Sequence, residues 1–273
     1  MPETTDFTLT GVNGAIVGRR WGGDDPEWIV VLAHGIGEHS GRYEHVAQAL
    51  AEAGAVVYAP DHQGHGRSEG ERGLVADVEL FVDDLRRVAD LAVEEHPGLP
   101  LALLGHSLGG VIVTRYVQRG DERVAALVMT GPVIGGNPAF EGLLAMDPMP
   151  DVPIDPSVLS RDPEVGRAYA EDPLVYHGPL ARESLVGIFA AVDAIRSGPG
   201  FGDLPTLWLH GEDDQLAPVE VTRVAIEQLR GSELTECTYP EARHEILNET
   251  NQEEVIAEIT GFLSSRLTQT PAG

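Results

Sequence analysis

Six short runs, most of them almost wholly apolar, constrain this chain more than any other feature. They are residues 28–35 (WIVVLAHG), 56–61 (VVYAPD), 101–105 (LALLG), 124–132 (VAALVMTGP), 206–211 (TLWLHG) and 234–240 (LTECTYP). A strand covered on both faces has no polar side to alternate with, so it reads as a continuous apolar run. Amphipathic segments of helical spacing lie between them. Residues 43–54 end on a glycine, and residues 77–96 put Leu80, Leu85, Val88, Leu91 and Ala92 on one face before Pro97-Gly98. Further helices are predicted from 108 to about 120, over 182–196, 218–230 and 252–267. Strand and helix in strict alternation predict an α/β fold: a mostly parallel central sheet flanked by helices on both faces. Before it, DFTLT and AIVGRRW flank Gly11-Val12-Asn13-Gly14 and predict a hairpin with an Asn-Gly turn. The final TQTPAG predicts a frayed end.

The alternation stops between 135 and 178. Seven prolines fall there, at 138, 148, 150, 153, 156, 163 and 173, and helical runs are short. The segment still holds Leu143, Leu144, Met146, Val152, Ile154 and Leu159, so it predicts a small cap over a site rather than a linker. The expected division is a core of 1–134 and 179–273 with a cap insertion at 135–178.

Within the core, the run 101–105 hands over at once to a helix through Gly105-His106-Ser107-Leu108-Gly109. A strand-to-helix turn that must expose a side chain is crowded, and flanking glycines remove the neighbouring Cβ atoms. The new helix aims its free N–H groups and positive dipole end at the same spot, which suits a developing oxyanion. Ser107 therefore reads as a nucleophile. A serine hydroxyl needs a base. Downstream, 206–211 ends in Glu212-Asp213-Asp214 and 234–240 ends in Glu241-Ala242-Arg243-His244-Glu245. Both follow carboxyl ends of strands on one edge of the sheet, in the order serine, acid, histidine. His244 reads as the base. Glu212, Asp213 and Asp214 are all open as its acid.

Other histidines carry less. His34, His62, His65 and His210 sit beside strand ends and read as loop-orienting; His45 and His96 read as helix surface. Asp61-His62-Gln63-Gly64-His65 lacks thiolates and a clear third ligand, so no metal is expected.

Several motifs together resemble the α/β-hydrolase superfamily, specifically its monoacylglycerol lipase group of serine hydrolases. They are residues 34–43 (HGIGEHSGRY), 61–68 (DHQGHGRS), 105–110 (GHSLGG), 210–214 (HGEDD) and 239–245 (YPEARHE). Ser160-Arg161-Asp162-Pro163, Tyr169 and Asp172-Pro173-Leu174 resemble that group's cap. The likeness spans nearly the whole chain, and GEHSGRY is its most specific part. It implies Asp214 as the acid, with Asp213 in reserve, and the backbone N–H groups of Ile36 and Leu108 as the oxyanion hole. It also implies recognition of a glycerol head group by Glu38, Arg42, His106 and Tyr169. The competing reading of Arg42 and Glu38 is a simple pair at a helix start. The cap departs from the group in being short, acidic and proline-rich from Met146 to Pro156, without a long apolar helix.

The expected function is a serine ester hydrolase cleaving monoacylglycerols through an acyl-enzyme. The alternative is a general short-chain carboxylesterase or lysophospholipase. A ligand receptor on the same scaffold and an acyltransferase are the readings from other classes. No cofactor is expected, and the partner is a small ester or lipid. The net charge of -26 over 273 residues repels phosphates, so nucleic acid and anionic membranes are poor partners. Every one of the 18 basic residues is arginine, and Cys237 is the single cysteine, so no intramolecular disulfide can form. The acidic stretch at residues 1–11 does not read as a signal peptide, and no run approaches the ~20 apolar residues of a membrane span. A cytoplasmic protein without stable membrane insertion is the expectation.

Overall fold

A computed structural model describes residues 3–23 and 25–268. The chain opens with β1 (Glu3–Gly11) and β2 (Gly14–Gly22), followed by β3 (Trp28–Ala33), α1 (Glu44–Glu52) and β4 (Ala55–Pro60). Next come α2 (Val78–Glu95), β5 (Leu101–His106), α3 (Leu108–Gln118) and β6 (Val124–Thr130). After β6 lie α4 (Pro138–Leu144), α5 (Pro163–Glu171) and α6 (Arg182–Ser197). The chain then returns through β7 (Thr206–Gly211), α7 (Val219–Leu229), β8 (Leu234–Tyr239) and α8 (Gln252–Leu267). The end 269–273, where most of TQTPAG falls, lies outside the described residues.

The strands form one eight-stranded sheet among the described residues, in the order β1-β2-β4-β3-β5-β6-β7-β8. β2 runs antiparallel to both β1 and β4; β4, β3, β5, β6, β7 and β8 pair in parallel. The mostly parallel sheet expected from the alternation is present. Successive side chains of each central strand enter opposite cores. Ile29, Val31 and Ala33 of β3 pack with α2, α3, α6 and α7. Trp28, Val30 and Leu32 pack with α1 and α8 on the other face. Each such fully buried aliphatic side chain contributes roughly 1.5–3 kcal/mol.

The hairpin forms, but its turn is not Asn-Gly. Gly11 pairs directly with Gly14, so Val12 and Asn13 are the loop residues. Positive φ falls on Gly14 (126°), the first residue of β2. The Val12 N–H donates to Asp84 Oδ1 on α2 at 2.7 Å, which ties the turn to that helix. His45 is also not simply surface: its Nε2 lies 2.7 Å from the Leu247 carbonyl. His96 caps the C-terminus of α2 and stands 3.1 Å from the Tyr58 hydroxyl.

Between β6 and β7 the chain leaves the sheet. After the 3-10 turn Val133–Gly135, the interval to residue 178 holds only α4 of seven residues, α5 of nine and one further 3-10 turn, and no strand. Asparagine or aspartate starts each helical piece: Asn137, Asp155 and Asp162 accept from the N–H two residues on, and proline follows each at once. α6 returns to the layered body, packing on α3 and α2.

Candidate active site

Parallel pairing of β3, β5, β6, β7 and β8 brings their carboxyl ends to one edge, the usual seat of a ligand in an open α/β sheet. Ser107 lies there between β5 and α3 with φ 55° and ψ -116°. This left-handed backbone costs a non-glycine residue of order 1–3 kcal/mol and persists only where the surroundings enforce it. Here the Ser107 N–H donates to the Thr130 carbonyl (3.1 Å), and its carbonyl accepts from the N–H of Gly110 (3.0 Å). The flanking glycines are steric necessities. A Cβ on Gly109 would overlap the Ala33 carbonyl, and one on Gly105 would overlap the Gly109 carbonyl.

His244 follows β8, and its Nε2 stands 2.9 Å from Ser107 Oγ. Its Nδ1 stands 2.8 Å from Asp214 Oδ2. Asp214 is held in turn: its Oδ1 accepts from the N–H of Leu216 (2.9 Å) and of Ala217 (2.8 Å). His210 backs the carboxylate. Its Nδ1 accepts from Trp208 Nε1–H (3.0 Å), which leaves Nε2–H to point between the Ala217 carbonyl (2.7 Å) and Asp214 Oδ2 (3.2 Å). Of the three acids open from the residues alone, only Asp214 reaches the imidazole. Asp213 and Glu212 are exposed, and Glu212 accepts from the Thr238 hydroxyl (2.8 Å). Burial favours protonated Asp214, but the imidazoles of His244 and His210 outweigh it and hold the carboxyl far below the usual range. His244 moves the other way. Burial opposes its charge, yet Asp214, then Glu245 and Glu38, raise it above an ordinary histidine.

The GEHSGRY stretch works as a set of links to other loops. Glu38 Oε1 accepts from the Gly35 N–H (2.7 Å) and the Tyr43 hydroxyl (2.7 Å). His39 Nδ1 accepts from the Gly41 N–H, so its Nε2–H is free for Asp172 Oδ2 at 2.8 Å. Ser40 donates from its N–H (2.9 Å) and its hydroxyl (2.5 Å) to Asp61 Oδ1, while Asp61 Oδ2 takes Arg67. Arg42 bonds Glu38 (2.7 Å) and is bidentate on Glu245 (2.6 and 2.8 Å), with its guanidinium 5.1 Å over the Tyr169 ring. Glu245 was not singled out from the sequence, and no spacing pairs residue 42 with residue 245. Its one signal was adjacency to His244.

An apolar pocket of about 730 Å³, counting its open mouth, reaches Ser107 and His244. Val133, Phe140, Leu159, Leu185, Ile188 and Phe189 make much of its wall. Polar groups gather at one part of it: Glu38, His106, Tyr169 and Glu245. Ile36 and Leu108 also line it, and among the described residues neither of their N–H groups donates to the protein. His106 Nδ1 donates to the Thr130 carbonyl (3.0 Å), and its ring lies 4.9 Å from that of His244. Burial, then the nearby His244, pushes its pKa down to about 4, so it is a neutral imidazole with Nε2 as acceptor. Burial, then Glu38 and Glu245, raises the Tyr169 phenol to about 12 and keeps it a donor. Thus Glu38, His106 and Tyr169 reach the pocket, whereas Arg42 does not line it and stands behind Glu38 and Glu245. The pairing of Arg42 with Glu38 at a helix start is present, as one arm of a larger clamp.

A family described as serine aminopeptidase, S33 (Hydrolase_4) matches residues 24–251. Monoacylglycerol lipase of Mycolicibacterium smegmatis is 36% identical, covering 96% of this chain and 98% of the relative. Human monoglyceride lipase is 33% identical over 88% of this chain and 84% of its own. The solved monoacylglycerol lipase of Paleococcus ferrophilus superposes with a TM-score of 0.76 at 30% identity, covering 97% of this chain and 99% of that one.

Proposed function

The chain belongs to the serine aminopeptidase S33 family and, among α/β-hydrolases, to the monoacylglycerol lipase group; from that premise we propose that it cleaves monoacylglycerols to glycerol and fatty acid. The observation that carries this reading is the hydrogen-bonded series Asp214–His244–Ser107 opening on an apolar pocket with a polar corner. Ser107 Oγ attacks the ester carbonyl as His244 Nε2 takes its proton. The N–H groups of Ile36 and Leu108 bind the oxyanion. Collapse of the tetrahedral species breaks the ester C–O bond, and the glycerol oxygen leaves with the proton from His244. Water enters, gives a proton to His244 and attacks the acyl carbonyl; Ser107 regains its proton as the fatty acid departs. Asp214 holds the imidazole tautomer and stabilises its cation.

Glu38, His106 and Tyr169 meet the glycerol hydroxyls, and Arg42 acts indirectly by holding Glu38 and Glu245. Apolar side chains around Phe189 take the acyl chain, and residues 135–178 form a cap over it. No step needs a metal or cofactor. Two carboxylates on one arginine leave the polar corner anionic, which disfavours the phosphate of a lysophospholipid. A cytoplasmic setting suits a chain whose single cysteine precludes an internal disulfide. Among the described residues no helix is long and apolar enough to cross a membrane.

The test is a length series of glycerol monoesters against p-nitrophenyl esters and lysophospholipids, with Ser107→Ala as control. Loss of the nucleophile should lower kcat by about 10⁶-fold. Preference for either comparison substrate would displace the monoacylglycerol reading, and turnover by Ser107→Ala would remove the mechanism.

A further inference from the structure

Glu249 is a carboxylate with no exposed surface that the reaction does not touch. Its Oε1 accepts from the N–H of Arg243 (2.8 Å), the residue before His244, and from the N–H of Arg161 (3.1 Å). Its Oε2 accepts from Arg161 Nε (2.9 Å) and the N–H of Thr250 (2.9 Å). One buried group thus holds the His244 loop and the SRDP stretch at once. Neighbouring bonds join the same two segments. Arg243 donates to the carbonyls of Ser157 (2.6 Å) and Ser160 (2.9 Å), the Ser160 hydroxyl to the Asn248 carbonyl (3.0 Å), and the Glu245 N–H to the Leu159 carbonyl (2.8 Å). Further on, Asp172 takes His39, and the Tyr176 N–H donates to the Gly37 carbonyl (2.7 Å). The segment 157–176 is therefore fastened to the loops of both His244 and Ile36.

The segment before it is held differently. Apart from Ile154, which packs against Leu159, Tyr169 and Val175, residues 138–155 are hydrogen-bonded to the body through the start of α6: Arg182 donates to the carbonyls of Leu144 (2.9 Å) and Met146 (2.7 Å), and the Leu180 N–H to that of Val152 (3.4 Å). Met146 and Val152 are exposed there.

We propose that Glu249 is a positioning residue: with Arg161 it welds residues 157–176 to the His244 loop, so that this half of the cap is part of the catalytic frame while 138–155 is the half that moves for substrate. The inference rests on His244 being the base. A carboxylate accepting four hydrogen bonds in a buried site loses heavily when one partner goes, because its charge is left unmatched. The cost falls on the alignment of His244 with Ser107, where a displacement near 1 Å is worth up to about 100-fold in rate.

The experiment follows inactivation by a small fluorophosphonate probe, separating kinact from KI, well below each variant's Tm. Arg161→Ala should lower kinact about ten-fold with KI within about two-fold of wild type. Arg182→Ala should leave kinact unchanged and raise KM for a long-chain monoacylglycerol. If Arg161→Ala fails to fold, Glu249→Gln, which keeps an acceptor for the Arg243 N–H, carries the same expectation. Unchanged kinact in the folded Arg161 or Glu249 variant, a change confined to KI, or an equal loss in Arg182→Ala would overturn the assignment. A wild-type protein inert to the probe would instead sink the hydrolase reading itself.

Discussion

Lowering the pH should destabilise this fold through imidazoles outside the hydrogen-bonded series Asp214–His244–Ser107. His34, His62 and His65 cluster beside the Ile36 loop, with ring centroids 4.1 to 6.5 Å apart, and all are buried. The Nε2 atoms of His62 and His65 have no hydrogen-bond partner among the described residues. Burial is the chief reason that His62 is pushed down to about 3 and His65 to about 4, as it is for His106 at about 4. An unfolded histidine titrates near 6.5. Below that pH the unfolded chain binds protons that the folded chain refuses, so stability is intact above about 6.5 and falls as pH drops toward the folded values. At pH 5 none of the three folded values has yet been reached, so the loss depends only on the 1.5 units between roughly 6.5 and 5. That is about 2 kcal/mol per histidine.

The three together reach about 6 kcal/mol, a large share of the 5–15 typical of a domain. His34, also lowered, adds to the loss. His244, raised in the folded state, gains stability on acidification and offsets part of it. The perturbation is His62→Leu, which removes one titrating group at similar volume. Urea unfolding followed by tryptophan fluorescence at pH 8 and pH 5 gives the difference for each protein. Any packing cost of leucine is common to both pH values and drops out. The variant should lose about 2 kcal/mol less than wild type between the two. Equal losses within about 0.5 kcal/mol would refute the argument that His62 is buried neutral.

Other expectations follow from the same geometry. Asp214→Asn should cut kcat about 10⁴-fold without unfolding the protein, since the amide presents the wrong partner to His244 Nδ1; a loss under about ten-fold in steady-state kinetics would contradict its role. Gly109→Ala should abolish probe labelling and soluble yield together, because its Cβ overlaps the Ala33 carbonyl; a soluble, fully active variant would show the elbow is not tight. The acid limb of the kcat/KM profile should have its midpoint above that of an ordinary histidine, as His244 must be neutral to accept a proton and is raised by Asp214; a midpoint below 6.5 would fail. Ser107→Gly should be inactive yet more stable by about 1 kcal/mol in urea titration, as the left-handed backbone is relieved.

Much of the fold was legible because its signals are local. Continuous apolar runs report strands buried on two faces, and prolines next to Asn or Asp report short capped helices. The hairpin was legible from Gly11 to Gly14; its tie to Asp84, on a helix about seventy residues on, was not, because no local pattern pairs the Val12 N–H with that carboxylate. The acid was ambiguous for a similar reason. Glu212, Asp213 and Asp214 stand together in sequence, and only the turn that points the Leu216 and Ala217 N–H groups at residue 214 separates them.

Residue order alone determined the alternating α/β body, the strained serine between its glycines, and the sheet edge where serine, acid and histidine would meet. Each of these rests on backbone sterics and on periodic burial, which act over a few neighbours. Tertiary structure alone decided that Arg42 also takes Glu245, that His39 reaches Asp172, and that Glu249 fastens Arg161 beside His244. Those pairings follow from desolvation: a charge removed from water takes whichever opposite group or N–H the folded loops bring within about 3 Å, and chain distance does not enter.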